Sequence, residues 1–220
     1  MFHVEHDNLI LQKIEQGAKA IGVQLSDHVI AQFSLYLLEL KTWNQRVNLT
    51  TVTQDDEIIS KHFVDSLAAT SLIPAQAQGL MLDIGSGAGF PGLPLGIVNE
   101  HLAVTLLEPS QKKVAFLRSL IGTFELQNVR AIAKRIEEYS GTARDIVPFS
   151  WVVTRALRIE PWLECIDKLL INNGNIILWR TSHQGDLTKV LPQPWRVEDR
   201  LDYVLPFGYG ERSLIVLGRS

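Results

Sequence analysis

The chain has 220 residues, a formal net charge of −3 and 46% hydrophobic residues, enough to bury one large core with a small addition. No apolar run is long enough to span a bilayer, the N-terminus lacks the basic-then-apolar layout of a signal peptide, and the single cysteine, Cys165, allows no intrachain disulfide; a cytoplasmic setting without membrane contact is expected. The six histidines are scattered without metal-ligand spacing, so no metal is expected, and the slight acidity neither advertises nucleic-acid binding nor forbids a local basic face.

The first third reads as helical. Leu9, Ile10, Ile14, Ala18 and Ile21 recur with helix-like spacing. Ser26 or Asp27 is positioned to cap a second helix carrying Val29, Ile30, Phe33, Tyr36, Leu37, Leu40 and Trp43. Residues 55–70 suggest a third, with Ile58, Ile59, Phe63, Leu67 and Ala68 facing inward. Pro74 and the small polar run through Gly79 make a linker, which divides the chain into a helical extension over residues 1–75 and a second unit over residues 76–220.

Beyond the linker, strand-like and helix-like stretches alternate. The expected strands are Leu80–Ile84, Ala103–Glu108, Val129–Ala133, Trp151–Thr154 and Asn175–Trp179. The helical stretches between them are Pro91–Asn99, Ser110–Gly122, Arg135–Tyr139 and Glu160–Ile171. Such alternation implies an α/β fold with a mainly parallel sheet and helices on both faces. Two late extended stretches, Trp195–Leu205 and Ser213–Gly218, flank Pro206-Phe207-Gly208-Tyr209-Gly210 and read as a hairpin with one strand antiparallel to the rest. Five parallel strands ending in a hairpin are the Rossmann-like layout of S-adenosylmethionine (SAM)-dependent methyltransferases.

The chemistry concentrates after the first of these strands. Asp83 lies near the strand end, and Gly85, Gly87 and Gly89 alternate with Ser86 and Ala88 before Phe90-Pro91-Gly92. Glycines here let the chain turn sharply and let a ligand lie against the main chain. A dinucleotide loop wants G-x-G-x-x-G; counted from Gly85 the third glycine falls on Phe90, and only the later register Gly87, Gly89, Gly92 fits. A compact G-x-G-x-G behind an acidic strand is more typical of SAM sites. The second strand ends at Glu108, placed to accept both ribose hydroxyls of an adenosine. NAD enzymes use that acid too. On these residues alone, a nicotinamide-dependent oxidoreductase and a non-catalytic SAM- or RNA-binding protein both stay open.

A wider set of segments carries a resemblance. Trp43-Asn44 with Asn48-Leu49-Thr50, His62-Phe63-Val64-Asp65-Ser66-Leu67, the loop Asp83–Pro94, Gln111–Leu117, Arg135-Ile136-Glu137-Glu138, Val153-Thr154-Arg155-Ala156 and Glu211-Arg212 occur in this order. Over nearly its whole length the chain resembles the bacterial 16S ribosomal RNA guanine-N7 methyltransferase family, RsmG, also called GidB. The resemblance implies a Rossmann-like SAM-dependent methyltransferase sheet with an N-terminal helical extension. It implies SAM as cofactor, and 16S ribosomal RNA or a small-subunit assembly particle as partner. It places Gly85, Ser86, Gly87, Phe90, Glu108, Ile136, Glu137 and Arg155 at the cofactor, and Arg155 and Arg212 at the RNA. Where the family has a lysine-glycine pair after the fifth strand, this chain reads Trp179-Arg180-Thr181.

The implied chemistry needs no catalytic dyad. Guanine N7 carries an in-plane lone pair and no proton, so the enzyme mainly aligns nucleophile, methyl and sulfur. After the fourth strand the chain reads Thr154-Arg155-Ala156-Leu157 rather than an Asp-Pro-Pro-Tyr-like amine-binding motif, which disfavours amino-group methylation. His62 is expected to be structural rather than a general base. Replacing Arg155 by alanine is expected to impair methyl transfer while leaving stability near its original value.

Overall fold

Helices α1 (Phe2–Ala20) and α2 (Asp27–Asn44) open the chain. The computed structural model describes residues 2–73, 79–141, 147–155, 158–181 and 187–219. On α1, Ile10, Ile14 and Ala18 are buried at i, i+4, i+8 spacing. Leu9, expected among them, is exposed, because one residue back on a helix is a turn of about 100° away from that face. On α2, Ser26 is the cap: its Oγ accepts the Val29 N–H at 3.3 Å. Ile30, Phe33, Tyr36, Leu37 and Leu40 form the buried face.

The third helical stretch is not a plain α-helix. A short α3 (Asp55–Ile58) runs into a π-helical turn, Ile59–Val64, then α4 (Asp65–Leu67) and a 3₁₀ turn, Ala68–Ser71. From residue 58 to residue 69 every side chain except Lys61 is buried. A helix enclosed on all sides shows no periodic break that would betray the π turn in sequence.

Seven strands follow: β1 (Gly79–Ile84), β2 (Leu102–Leu107), β3 (Val129–Ile132), β4 (Phe149–Arg155), β5 (Leu170–Thr181), β6 (Trp195–Val204) and β7 (Glu211–Arg219). They form one sheet in the order β3-β2-β1-β4-β5-β7-β6. The first five are parallel, and β7 inserts antiparallel between β5 and β6. Helices α5 (Gly92–Val98), α6 (Gln111–Thr123), α7 (Ile136–Ser140) and α8 (Leu163–Asp167) connect the parallel strands. The helix expected over Glu160–Ile171 is shorter, a 3₁₀ turn at Glu160–Trp162 and then α8. The chain enters β5 at Leu170, which pairs with Phe149 below a register shift in β4. Most of the expected linker, residues 74–78, lies outside the described residues, as do Ala156 and Leu157.

Alternate residues of each strand serve two cores, as the pleat requires. Met81, Val104, Leu106, Val153, Ile177, Trp179 and Leu214 join α1, α2, the π turn, α5 and α6 on one face. Leu82, Ile84, Leu107, Val152, Ile176, Leu178 and Ile215 join α7 and α8 on the other. The N-terminal helices therefore share a hydrophobic cluster with one face of the sheet. Tyr36 on α2 reaches the loop after β1, and the π turn meets Arg155 at the end of β4; the carboxyl ends of these strands are where an open α/β sheet binds its ligands.

Candidate cofactor and acceptor site

The loop between β1 and α5 begins by crossing to β2: the Gly85 and Ser86 N–H groups both donate to the Leu107 carbonyl, at 2.8 and 3.2 Å. It closes when Gly89 and Phe90 N–H donate to the Ser86 carbonyl, at 2.7 and 3.0 Å. Gly87 has φ +58° and Gly89 φ +102°, conformations that side chains resist. The two glycines differ in what surrounds them. A Cβ at Gly89 would meet the Tyr36 hydroxyl and Leu117. A Cβ at Gly87 would meet only the Gly85 carbonyl at 3.9 Å, so it would stand in open space where a ligand can approach the backbone.

Glu108 is buried against this loop. One carboxylate oxygen accepts the Gly87 N–H and the other the Ser110 N–H, each at 3.0 Å. The acid at the end of β2 thus ties the glycine loop to the start of α6, itself capped by Ser110. Asp83 is fully buried behind the loop, where its Oδ2 accepts the Gly92 N–H at 2.8 Å. Its Oδ1, and the Oγ of Ser86, are buried with no hydrogen-bond partner among the described residues. Burial pushes the Asp83 carboxyl up to about 7, and Glu108 adds to the rise; the Gly92 N–H and Arg155 oppose it.

At the end of β4, the Arg155 guanidinium reaches across to the π turn. It donates to the Lys61 carbonyl at 2.7 Å and to Asp65 Oδ2 at 3.2 Å, and its other terminal nitrogen lies 2.9 Å from His62 Nδ1. Nδ1 also lies 3.1 Å from the Lys61 carbonyl, and Nε2 lies 2.9 Å from Thr50 Oγ1, which accepts the Val52 N–H. Burial, with Arg155 beside it, lowers the His62 pKa to about 3. Asp65 also accepts the Tyr203 hydroxyl at 2.6 Å, and its carbonyl accepts the Trp179 indole N–H at 2.7 Å. Burial raises the Asp65 pKa despite Arg155 and Tyr203. The W-N-x-x-x-N-L-T segment gains a physical role here. The Asn44 side chain accepts from Leu49 and Thr50 N–H and donates to the Thr50 carbonyl, closing the loop that carries Thr50 to His62. Asn48 is exposed.

Gly85, Ser86, Gly87 and Glu108 meet at the loop, with Phe90 and Arg155 alongside. The Phe90 ring is 4% exposed. It lies near-parallel to Tyr36 (centroids 5.2 Å apart) and to His62 (4.7 Å), with the Arg155 guanidinium carbon 5.3 Å from its centre. Ile136 is likewise buried, among the residues of the second core that include Ile84 and Leu107, at the first turn of α7. Glu137 is exposed and accepts the Trp162 indole N–H at 3.0 Å. Arg212 is half-buried at the start of β7, close enough to Asp65 to favour its charge. Arg180 sits opposite Ser213 in the β5–β7 pairing. Tyr36, Tyr203 and Trp179 also bond to these segments, and nothing in the sequence singles them out. All three look like core aromatics in sequence; only their hydroxyl and indole partners, far away along the chain, mark them out.

A sheet with a reversed seventh strand, a glycine loop on β1 and a buried carboxylate closing β2 defines the Rossmann-like methyltransferase class. Solved structures share that fold. TrmN from Thermus thermophilus aligns with a TM-score of 0.57 at 17% identity, covering 71% of this chain and 48% of that one. A variant of MtNAS in complex with S-adenosylmethionine aligns at 0.58 and 15% identity, covering 88% and 78%. The chain belongs to the GidB family, described as rRNA small subunit methyltransferase G, which it matches over residues 29–215. Among its relatives, the ribosomal RNA small subunit methyltransferase G of Geobacter metallireducens is 36% identical over 212 residues, 93% of this chain and 94% of that protein. The protein of the same name from Pseudomonas putida is 32% identical over 210 residues, 95% of each. The chain is accordingly a methyltransferase.

Proposed function

We propose that this enzyme transfers a methyl group from S-adenosylmethionine to N7 of a guanine in the 16S RNA of the small ribosomal subunit. The observation that carries the cofactor is the glycine loop with its two buried, unpartnered oxygens, Asp83 Oδ1 and Ser86 Oγ, beside the buried carboxylate of Glu108. Such oxygens fit a ligand bearing N–H and O–H donors, as the methionine ammonium and the ribose do. Gly85, Ser86 and Gly87 form the cradle, Glu108 accepts ribose hydroxyls, and the backbone at Ile136 and Glu137 flanks the adenine. S-adenosylmethionine held there would supply a methyl group activated by its sulfonium, for transfer to the guanine N7 lone pair.

The acceptor assignment rests on what the site offers a nucleophile. Family membership points to small-subunit ribosomal RNA, and the residues around Arg155 fit an acceptor atom without a proton. Both His62 ring nitrogens have partners, Nδ1 at Arg155 and the Lys61 carbonyl and Nε2 at Thr50, and Asp65 is held by Arg155 and Tyr203. Neither group is poised to remove a proton. Arg155 and Arg212 add positive charge at this rim, toward the RNA. A ribosomal RNA substrate points to the cytoplasm as the setting of the reaction.

The test is nucleoside mass spectrometry of 16S RNA, naked and within small-subunit particles, after incubation with enzyme and methyl-labelled cofactor. Label in 7-methylguanosine is the expected result. Label on a guanine amine, another base or ribose overturns the acceptor assignment. Binding of NAD rather than S-adenosylmethionine in calorimetry overturns the cofactor assignment.

A further inference from the structure

We propose that Tyr36, on α2, is a positioning residue for the cofactor loop, so that the N-terminal helices set the shape of the binding site. The inference rests on reading the glycine loop as the S-adenosylmethionine site. Tyr36 is fully buried, and its hydroxyl donates to the carbonyl of Ala88, the residue between the two left-handed glycines. That carbonyl belongs to the same peptide as the Gly89 N–H, which donates to Ser86 at 2.7 Å. Holding the carbonyl on Tyr36 therefore fixes the N–H on Ser86, because a peptide plane turns as a unit.

The neighbours hold the ring in one place. It stacks on Phe90 at 5.2 Å and 7°, and tilts against Phe63 at 5.2 Å and Phe116 at 6.2 Å. Gly89 leaves room for the hydroxyl, since a Cβ there would collide with it. The loop is thus gripped at neighbouring residues from two sides: Gly87 N–H by Glu108 from β2, and the Ala88 carbonyl by Tyr36 from α2. A residue needed only to fill the core could as well be phenylalanine. The hydroxyl has one evident task, which is to hold a loop whose open side faces the ligand. Without it, the Ala88 peptide is free to rotate, and the ligand must bring the loop to order when it binds.

Tyr36→Phe removes the hydroxyl and keeps the ring. S-adenosylmethionine should bind about three- to tenfold more weakly to it in calorimetry, the worth of one neutral hydrogen bond. KM for the cofactor should rise by the same factor, while kcat at saturating cofactor and KM for RNA stay unchanged. Amide exchange at Gly89 and Phe90 should quicken. Ile166→Val serves as the control: it trims a fully buried side chain of the second core, on the other face of the sheet from Tyr36, and it should lower the thermal midpoint while leaving cofactor affinity alone. Tyr36→Phe with wild-type affinity and exchange overturns the inference. So does an equal loss of affinity in Ile166→Val, which would make the effect one of general destabilisation. A wild-type protein that binds no S-adenosylmethionine overturns the cofactor reading itself, a result distinct from either.

Discussion

Removing Arg155 tests the centre of the site. Its side chain is 18% exposed and that of its partner Asp65 only 5%. Alanine at 155 withdraws the cation and leaves a buried carboxylate opposed by nothing but the Tyr203 hydroxyl and more distant charge. Breaking a buried pair from one side costs about 3–5 kcal/mol, so Arg155→Ala should be destabilised on that scale as well as impaired in methyl transfer. This reverses the expectation drawn from sequence, where the arginine stood alone at a strand end and no buried partner was visible. Arg155→Ala/Asp65→Asn should recover roughly 0.5–3 kcal/mol of the loss, the usual coupling of contacting residues. The sign of the pH dependence follows from Asp65. Burial already raises its folded pKa above 3.8, and losing the guanidinium raises it further. The penalty is absent where the carboxyl is protonated in both states and grows as pH rises through the folded value. Urea denaturation followed by tryptophan fluorescence, at about pH 5 and about pH 8, should show the larger loss at the higher pH. A variant unfolding at the wild-type urea midpoint at both pH values, or a double variant no more stable than Arg155→Ala, would refute this account.

Glu108→Ala should weaken S-adenosylmethionine binding by about 1.5–3 kcal/mol, the scale of a hydrogen bond to a charged group. It should also lower stability, because the Gly87 and Ser110 N–H groups lose their acceptor; unchanged cofactor affinity in calorimetry would exclude the ribose role. His62, with its pKa lowered from 6.5 to about 3, stays neutral in the folded protein while the unfolded chain takes up a proton. Its contribution to stability is complete above 6.5 and is lost as pH falls toward 3, at up to about 1.4 kcal/mol per pH unit. The His62 ring resonances should show no titration between about pH 8 and about pH 5; a midpoint near the ordinary histidine value would contradict a neutral ring buried beside Arg155.

The glycine loop was legible because it is local. Strand, acid, alternating glycines and the carboxylate ending the next strand lie within one βαβ unit, and their spacing alone brings Glu108 to Gly87. The parallel strands were legible because each is a short apolar run between helical periods. In sequence the α8 region runs on to residue 171, because Leu170 and Ile171 are as apolar as a helix face, and only the pairing of Leu170 with Phe149 assigns them to β5. The π turn was invisible because its surroundings bury it from every side. The resemblance places Phe90 and Ile136 at the cofactor; what it does not reveal is that the Phe90 ring packs on Tyr36 and His62 and that the Ile136 side chain belongs to the second core.

The sequence by itself determined the alternation of strands and helices, the reversed terminal hairpin and the cradle on β1. Those follow from hydrophobic period, glycine conformation and charge at strand ends, each encoded within a few tens of residues. Only the tertiary structure decided what Arg155, His62, Asp65 and Tyr36 do. Arg155 meets Asp65 across 90 residues of chain, Tyr203 meets Asp65 across 138, Trp179 meets it across 114, and Tyr36 meets Ala88 across 52. A side chain's protonation, tautomer and partner are properties of the space it is buried in. That space is created when the N-terminal helices close over the carboxyl edge of the sheet.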